Sequence, residues 1–215
     1  MNTITSYAHI KHNQVSVNGS IVFQSGPLLK LSEFLSEAYK SIGLSYPKFH
    51  KMDAQCKLGF LCAEFALKET TFLTENDLSK TAIILSNAAS SLETDRVHQH
   101  SINDKSNYFP SPAVFVYTLP NITIGEIAIK HKVTGENAFF VSGQLDTELL
   151  VNYIETLLSN GSEAALVGWV EVDGASFEAF IFLVESSKNI NKNSIFKALN
   201  QSSVITIYNQ TKWTH

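Results

Sequence analysis

At 215 residues, 44% of them hydrophobic, the chain has the length of one domain and enough apolar material to bury a sizeable core. Its 16 basic and 20 acidic residues leave a net charge of −4, which excludes the basic stripe of a nucleic-acid binder. No apolar run approaches the roughly 18 residues of a membrane span, and the first twelve residues lack the charged start and apolar core of a secretory signal. The expectation is therefore a single cytoplasmic domain over 1–215, with no nucleic-acid partner and no membrane span.

In chain order, Thr5 to Ile10 and Ser20 to Phe23 are strand candidates around a turn signal at Asn18-Gly19. Met52 to Lys68 has the pattern of an amphipathic helix, with Met52, Cys56, Gly59, Phe60, Ala63, Ala66 and Leu67 on one face. Cys56 and Cys62 are six apart in it and point to different faces. Two such cysteines make no disulfide framework and read as small buried hydrophobes in a reducing compartment. Asp77 is placed to cap a turn before a buried strand, Thr81 to Ser86.

Residues 87–112 are polar and turn-rich and end in Pro110-Ser111-Pro112. The stretch is longer than a usual connection, which predicts a functional loop or one packed on a partner. A helix is expected over Asn121 to His131, then a strand over 137–142 after the break at Gly135. Leu145 to Leu158 gathers Leu145, Leu149, Leu150, Tyr153, Ile154, Leu157 and Leu158 on one side and stops at Gly161. Two strands, Ala164 to Val172 and Phe177 to Glu185, follow around the hairpin signal Asp173-Gly174. Strands alternating with helices and closing in a hairpin predict α/β layers.

Gln144 stands out in this order. It follows a short apolar strand and a glycine, and it opens the next helical pattern. A helix N-terminus at such a point favours a thiolate or an oxyanion, but an amide is no nucleophile. It offers one acceptor and two donors instead. Asp146 and Glu148, expected in the first turn of that helix, add negative charge that opposes activation of an anion. His98-Gln99-His100 has two imidazoles at i,i+2, but no nearby cysteine or acid completes a metal set, so these read as polar loop residues. The glycines are spread apart and form no phosphate-binding loop. No metal and no cofactor is expected.

Three stretches together resemble the N-terminal half of a β-ketoacyl synthase of the thiolase-like superfamily. They are Lys51 to Leu58 with Ala63-Glu64, then Ser111 to Asn121 with Gly125 to Ile129, then Gly135 to Gly161 with Ala164 to Gly168. The second carries the most specific signal, Ser111-Pro112, Phe115 and Pro120-Asn121 in the ketosynthase spacing. The third runs without a gap and sets Gln144 where the family has its cysteine nucleophile. The likeness covers roughly residues 50–185. Ser142-Gly143 and Leu145 to Glu148 depart from the small residues that flank that cysteine, and the family's second half, with two histidines and a lysine, has no counterpart here.

The resemblance implies a thiolase-like half-fold, an α/β arrangement with a mostly parallel mixed sheet and helices on its faces. Glutamine at the cysteine position, with the likeness of residues 85–135, resembles the chain-length-factor-like subunits of aryl polyene and flexirubin pigment clusters. It implies a non-catalytic partner that forms a heterodimer with a full-length ketosynthase, or a homodimer, and works on chains carried by acyl carrier protein. The interface expected from it comprises Phe115, Tyr117, Pro120, Asn121 and Glu126, with strand 137–142 pairing across a two-fold axis. Phe139 and Phe140 point to opposite faces of that strand, one toward a core and the other toward an interface or acyl tunnel. Glu126 and Lys130, at i,i+4, also suit a plain exposed ion pair. Two other functions stay open: a malonyl-carrier-protein decarboxylase using Gln144, and a homodimeric module that binds acyl groups or acyl carrier protein.

Overall fold

The computed structural model describes residues 2–106, 108–186 and 197–213. Three antiparallel strands come first: β1 (Thr3–Lys11), β2 (Gln14–Val17) and β3 (Ser20–Gln24). Their turns hold residues in the left-handed region, His12 and Asn13 at φ 53° and 55°, then Asn18 and Gly19 at 50° and 86°. The Asn18-Gly19 turn was expected and joins β2 to β3. The His12-Asn13 turn lacks a glycine, and the strand after it went unforeseen.

Helix α1 (Leu31–Ile42) leads through a 3-10 turn (Pro47–Lys51) to α2 (Ala54–Leu67), the short α3 (Phe72–Glu75) and strand β4 (Thr81–Asn87). Then come α4 (Leu92–Ile102), α5 (Pro112–Val116), α6 (Ile122–His131), β5 (Asn137–Val141) and α7 (Thr147–Ser159). The hairpin β6 (Ala164–Asp173) and β7 (Ser176–Glu185) follows, and β8 (Lys197–Ala198) and α8 (Gln201–Gln210) come last. Residues 87–112 are thus not all loop. Helix α4 occupies their middle and carries His98-Gln99-His100, whose i,i+2 spacing on a helix sends the two rings to different sides.

The strand order is β3-β2-β1-β7-β6-β4-β5, with β8 also on β1. The sheet is mixed, and helices lie on both faces, as expected. Parallel pairing is confined to β4 with its neighbours β5 and β6, while the other pairs are antiparallel. The connections explain the smaller parallel share. Tight turns at 12–13, 18–19 and 174–175 return the chain antiparallel, while the helical crossovers on either side of β5 bring β4, β5 and β6 together as parallel neighbours.

Each sheet face has its own core. On one, Ala179, Ile181 and Leu183 of β7 meet Phe34 and Leu35 of α1, most of α2, and Ile124 and Ile127 of α6. On the other, Phe180, Phe182 and Val184 meet Leu150 and Ile154 of α7 and Val204 and Ile207 of α8. Strands covered on both sides have no polar face, which is why β4, β6 and β7 are runs of apolar residues.

Helix α2 departs from its expected one-faced pattern. Of Gln55 to Leu67, all but Lys57 are buried, because α2 is held between the sheet and helices α1 and α6. The Asp53 side chain caps it, its Oδ1 accepting the Cys56 amide at 2.8 Å. Gly59 permits the close approach: a Cβ there would meet Thr123 Cγ2 at 2.5 Å and both Val170 methyls at 3.2 Å. Among the described residues, no helix is long and apolar enough to cross a membrane.

Candidate functional site

In sheets with parallel strands, ligands bind beyond the carboxyl ends of those strands. Here that place is formed by the ends of β4 and β5. Their register, Ile83 with Asn137 through Asn87 with Val141, is carried one step further by the Ser142 amide on the Asn87 carbonyl at 2.9 Å. The chain then turns. Ser142 Oγ donates to the Gln144 carbonyl at 2.9 Å, closing a tight loop around Gly143. Gln144 itself is exposed. Its main chain is fixed and its amide faces solvent.

Helix α7 starts later than the apolar pattern suggested. Asp146 is its N-cap, with Oδ1 accepting the Leu149 amide at 2.9 Å, and Thr147 is the first helical residue. Gln144 therefore lies two residues before the cap and does not itself open the helix. Asp146 is not a free first-turn charge either, because its carboxylate is already bound to a helix amide. Glu148 does lie in the first turn.

The turn after β4 forms the neighbouring wall. Asn87 is fully buried, and its side chain closes an Asx turn on Ser90, accepting the Ser90 amide at 2.9 Å and donating to the Ser90 carbonyl at 2.7 Å. Ser90 takes a left-handed φ of 52°. The Ala88 and Ala89 amides point to Glu171 of β6, which accepts them at 2.5 and 3.3 Å. Paired amides of this kind bind anions, and here the protein's own carboxylate holds them. Sequence reasoning missed Glu171, which reaches this turn only through the β4–β6 register.

Phe139 and Phe140 do face opposite ways. Phe139 packs on the α2 side of the sheet, and Phe140 on the other, its ring 5.2 Å from that of Tyr153 in α7. Each is half-buried against a core. Strand β5 ends the strand order, and Val141 on it is 59% exposed.

The stretch from Phe115 to Glu126 divides in two. Phe115, at the end of α5, is 57% exposed, with the His98 ring 5.4 Å away, and Val116 and Leu119 are exposed as well. Pro120 is half-buried, and Asn121 is exposed as the N-cap of α6, with no side-chain cap bond. Tyr117 turns inward and donates its hydroxyl to Glu126 Oε1 at 3.2 Å. Burial first, and then the charge of Glu126, push this phenol well above its ordinary value, so it stays protonated.

Glu126 overturns the expected exposed pair with Lys130. It is only 4% exposed and takes Lys48 Nζ at 2.8 Å. Lys130 turns instead to Glu64 at 3.8 Å and lies over the rings of Tyr46 and Phe60. Residue Glu126 thus anchors α6 to the 3-10 turn and to Tyr117 and presents no free charge. Of the eight residues expected at the site, Phe115 and Asn121 are exposed on the α5–α6 side and Gln144 at the strand end. Tyr117 and Glu126 pair with each other inside.

Neither cysteine is available as a nucleophile. Burial first, and the nearby Asp53 carboxylate second, raise the Cys56 thiol well above its usual range; its sulfur lies 3.3 Å from Thr123 Oγ1. Burial raises Cys62 as well, and it contacts the Ala8 carbonyl at 3.4 Å. Both are buried and protonated. Among the described residues, no group of His, Cys, Asp or Glu side chains is arranged to hold a metal.

With this geometry, the chain is similar in fold to solved ketosynthase systems. The ishigamide ketosynthase/chain length factor matches with a TM-score of 0.65 and 17% identity, over 88% of this chain and 63% of that one. A ketosynthase in complex with its chain length factor from Xenorhabdus doucetiae matches at 0.57 and 14%, over 87% and 80%. A type II polyketide synthase acyl-carrier protein in complex with its hexaketide-bound ketosynthase matches at 0.62 and 14%, over 87% and 62%. The chain thus spans less than two thirds of the length of the first of these. No protein-family model matches the sequence, and no curated protein matches it. The fold is shared with the chains of these ketosynthase and chain length factor structures.

Proposed function

We propose that this chain is a non-catalytic, chain-length-factor-like partner of a full-length ketosynthase, acting on acyl-carrier-protein-bound chains of the aryl polyene type. Gln144 carries the reading. The fold provides a strand, a tight turn and a capped helix, the setting of a nucleophile, and an exposed amide stands there. No thiol substitutes for it, since Cys56 and Cys62 are buried and protonated. The amide pair beside it, which would suit an oxyanion, is bound to Glu171.

The partner role draws support from surface chemistry. Strand β5 is an edge of the sheet, and an edge presents unpaired main-chain groups suited to a second chain. Phe115, Val116, Leu119 and Val141 are large, apolar and exposed, as at surfaces that a partner covers. A ketosynthase and a second copy of this chain are the two partners this edge suits.

Co-expression with a ketosynthase from the same cells tests the reading. We expect a stoichiometric complex, loss of that complex in Val141→Asp, and elongation of carrier-bound chains that needs both proteins. Gln144→Ala is expected to keep both the complex and its elongation rate to within about twofold. The reading fails if the two chains never co-purify. Release of carbon dioxide from malonyl thioester by this chain alone, abolished in Gln144→Ala, makes it a decarboxylase instead.

A further inference from the structure

A small cavity under α8, far along the sheet from Gln144, has the features of a ligand site. It measures about 80 Å³ and is lined by Ile4, Tyr7, Asn18, Lys197, Ile207 and Gln210, among others. That volume admits several waters or one small organic ion. Tyr7 is 7% exposed, and its hydroxyl is buried with no hydrogen-bond partner among the described residues. A buried hydroxyl without a partner is costly, so such an atom marks a place where a partner belongs.

The polar groups around it are biased toward donation. Asn18 spends its Oδ1 on the Tyr7 amide at 3.0 Å, which leaves its NH₂ free to donate. Gln210 accepts Lys197 Nζ on Oε1 at 3.3 Å, and so also keeps its NH₂. Tyr7 Oη and Gln210 Nε2 each lie 3.1 Å from where a Cβ on Gly19 would stand, so the two donors are close neighbours beside the Asn18-Gly19 turn. Lys197 brings a positive charge, which the carbonyl end of α8 partly offsets. Among the described residues no acidic one lines the cavity, and Glu185, the nearest by hydrogen bonding, is engaged by the hydroxyl of the lining residue Thr5 at 2.6 Å. Ile4 and Ile207, both buried, form an apolar wall.

We propose that this cavity binds a small alkyl carboxylate, its oxygens on Tyr7, Lys197 and Gln210 and its short chain on Ile4 and Ile207. Burial pushes the Tyr7 phenol up to about 12, so it stays a donor at any physiological pH. The site shares no residue with the Gln144 turn or the α5–α6 surface, and it stands or falls independently of the proposed function.

Sodium butyrate titrated into the whole protein by calorimetry, against sodium chloride at equal ionic strength, tests it. Saturable binding is expected in the wild type, weakened at least fivefold in Tyr7→Phe and in Lys197→Gln, with unchanged circular dichroism in both. Butanamide, of the same shape without the charge, is expected to bind at least fivefold more weakly. Phosphate binding tighter than butyrate would overturn the carboxylate assignment. Absence of saturable butyrate binding, or equal binding by both variants, would leave water as the occupant and overturn the site.

Discussion

Helices α2 and α7 lie on opposite faces of one sheet and have nearly equal lengths, 14 and 13 residues, yet they are held in contrasting ways. Helix α2 has the sheet beneath it and α1 and α6 against it, and it exposes almost nothing. It even buries Glu64, which His131 Nε2 meets at 2.6 Å. Helix α7 buries Leu150, Val151 and Ile154 and leaves its other side in water. The difference separates support from presentation. A helix enclosed on nearly all sides fixes the sheet, whereas one with a free side leaves the turn that precedes it, and Gln144 in that turn, open to another molecule.

The sharpest way to break that contrast is to remove a buried ring from α2 and an exposed side chain from the free side of α7. Phe60 in α2 is fully buried and stacks on Tyr46 at 5.3 Å. Phe60→Ala is expected to cost about 3–5 kcal/mol. Glu155→Ala, on the exposed side of α7, is expected to stay within about 0.5 kcal/mol. Urea midpoints measure both, and comparable costs would show that α2 is no more enclosed than α7.

Gly59 sharpens the same point. In a helix open to solvent, Gly→Ala stabilises by about 0.5–1 kcal/mol. In α2 the new methyl would meet the β-branched Thr123 at 2.5 Å, so Gly59→Ala is expected to destabilise by about 1–3 kcal/mol. Thr123→Ser removes the obstructing methyl and keeps the hydroxyl beside Cys56. The double variant is therefore expected to regain most of the loss, and thermal denaturation of the four proteins closes the cycle. A stabilised single variant would place α6 farther from α2 than the structure has it.

At α7 the local determinant is the cap. Asp146→Ala removes the acceptor of the Leu149 amide and is expected to cost about 1 kcal/mol. Asp146→Asn is expected to recover most of that, since it keeps an oxygen in place. Hydrogen exchange confined to the first turn of α7 reads the effect, and exchange spreading into β4 would tie α7 to the sheet more tightly than its one-sided burial implies.

These residues also show what a sequence makes legible. Apolar runs and turn dipeptides placed β4, β6, β7 and the Asn18-Gly19 and Asp173-Gly174 turns, because those signals are local. Phe139 and Phe140 fell on opposite faces because strand period alone dictates it. Helix α2 was misread as one-faced, since periodicity in a short apolar segment cannot count how many neighbours will cover it. Helix α4 was hidden by polar residues, its only buried side chain being Thr94. Tertiary pairing was out of reach altogether. Lys48 with Glu126, Glu171 with the Ala88 and Ala89 amides, and Lys130 with Glu64 each join segments far apart in sequence. So the strand before Gln144 was legible, while the start of the helix after it and the groups that define its surroundings were not.

The smallest expected effect concerns α8, the second helix on the α7 side, which is fastened by a titrating contact. Glu178 Oε1 of β7 accepts the Tyr208 hydroxyl of α8 at 2.9 Å, lies 2.7 Å from His9 Nε2 and takes Lys11 Nζ at 3.1 Å. His9, 1% exposed, is itself stacked on Tyr208. Burial pushes the Glu178 carboxyl up, but the His9 hydrogen bond and the His9 and Lys11 charges together outweigh it and hold the group below its ordinary value. A carboxylate lowered on folding lends stability that is complete above its unfolded value of about 4.3 and disappears as pH falls through the folded value. Urea midpoints followed from pH 6 downward are therefore expected to decline more steeply for the wild type than for Glu178→Gln, with the two lines converging in acid. Parallel lines would mean that Glu178 titrates alike in both states and that its charge does not help to fasten α8.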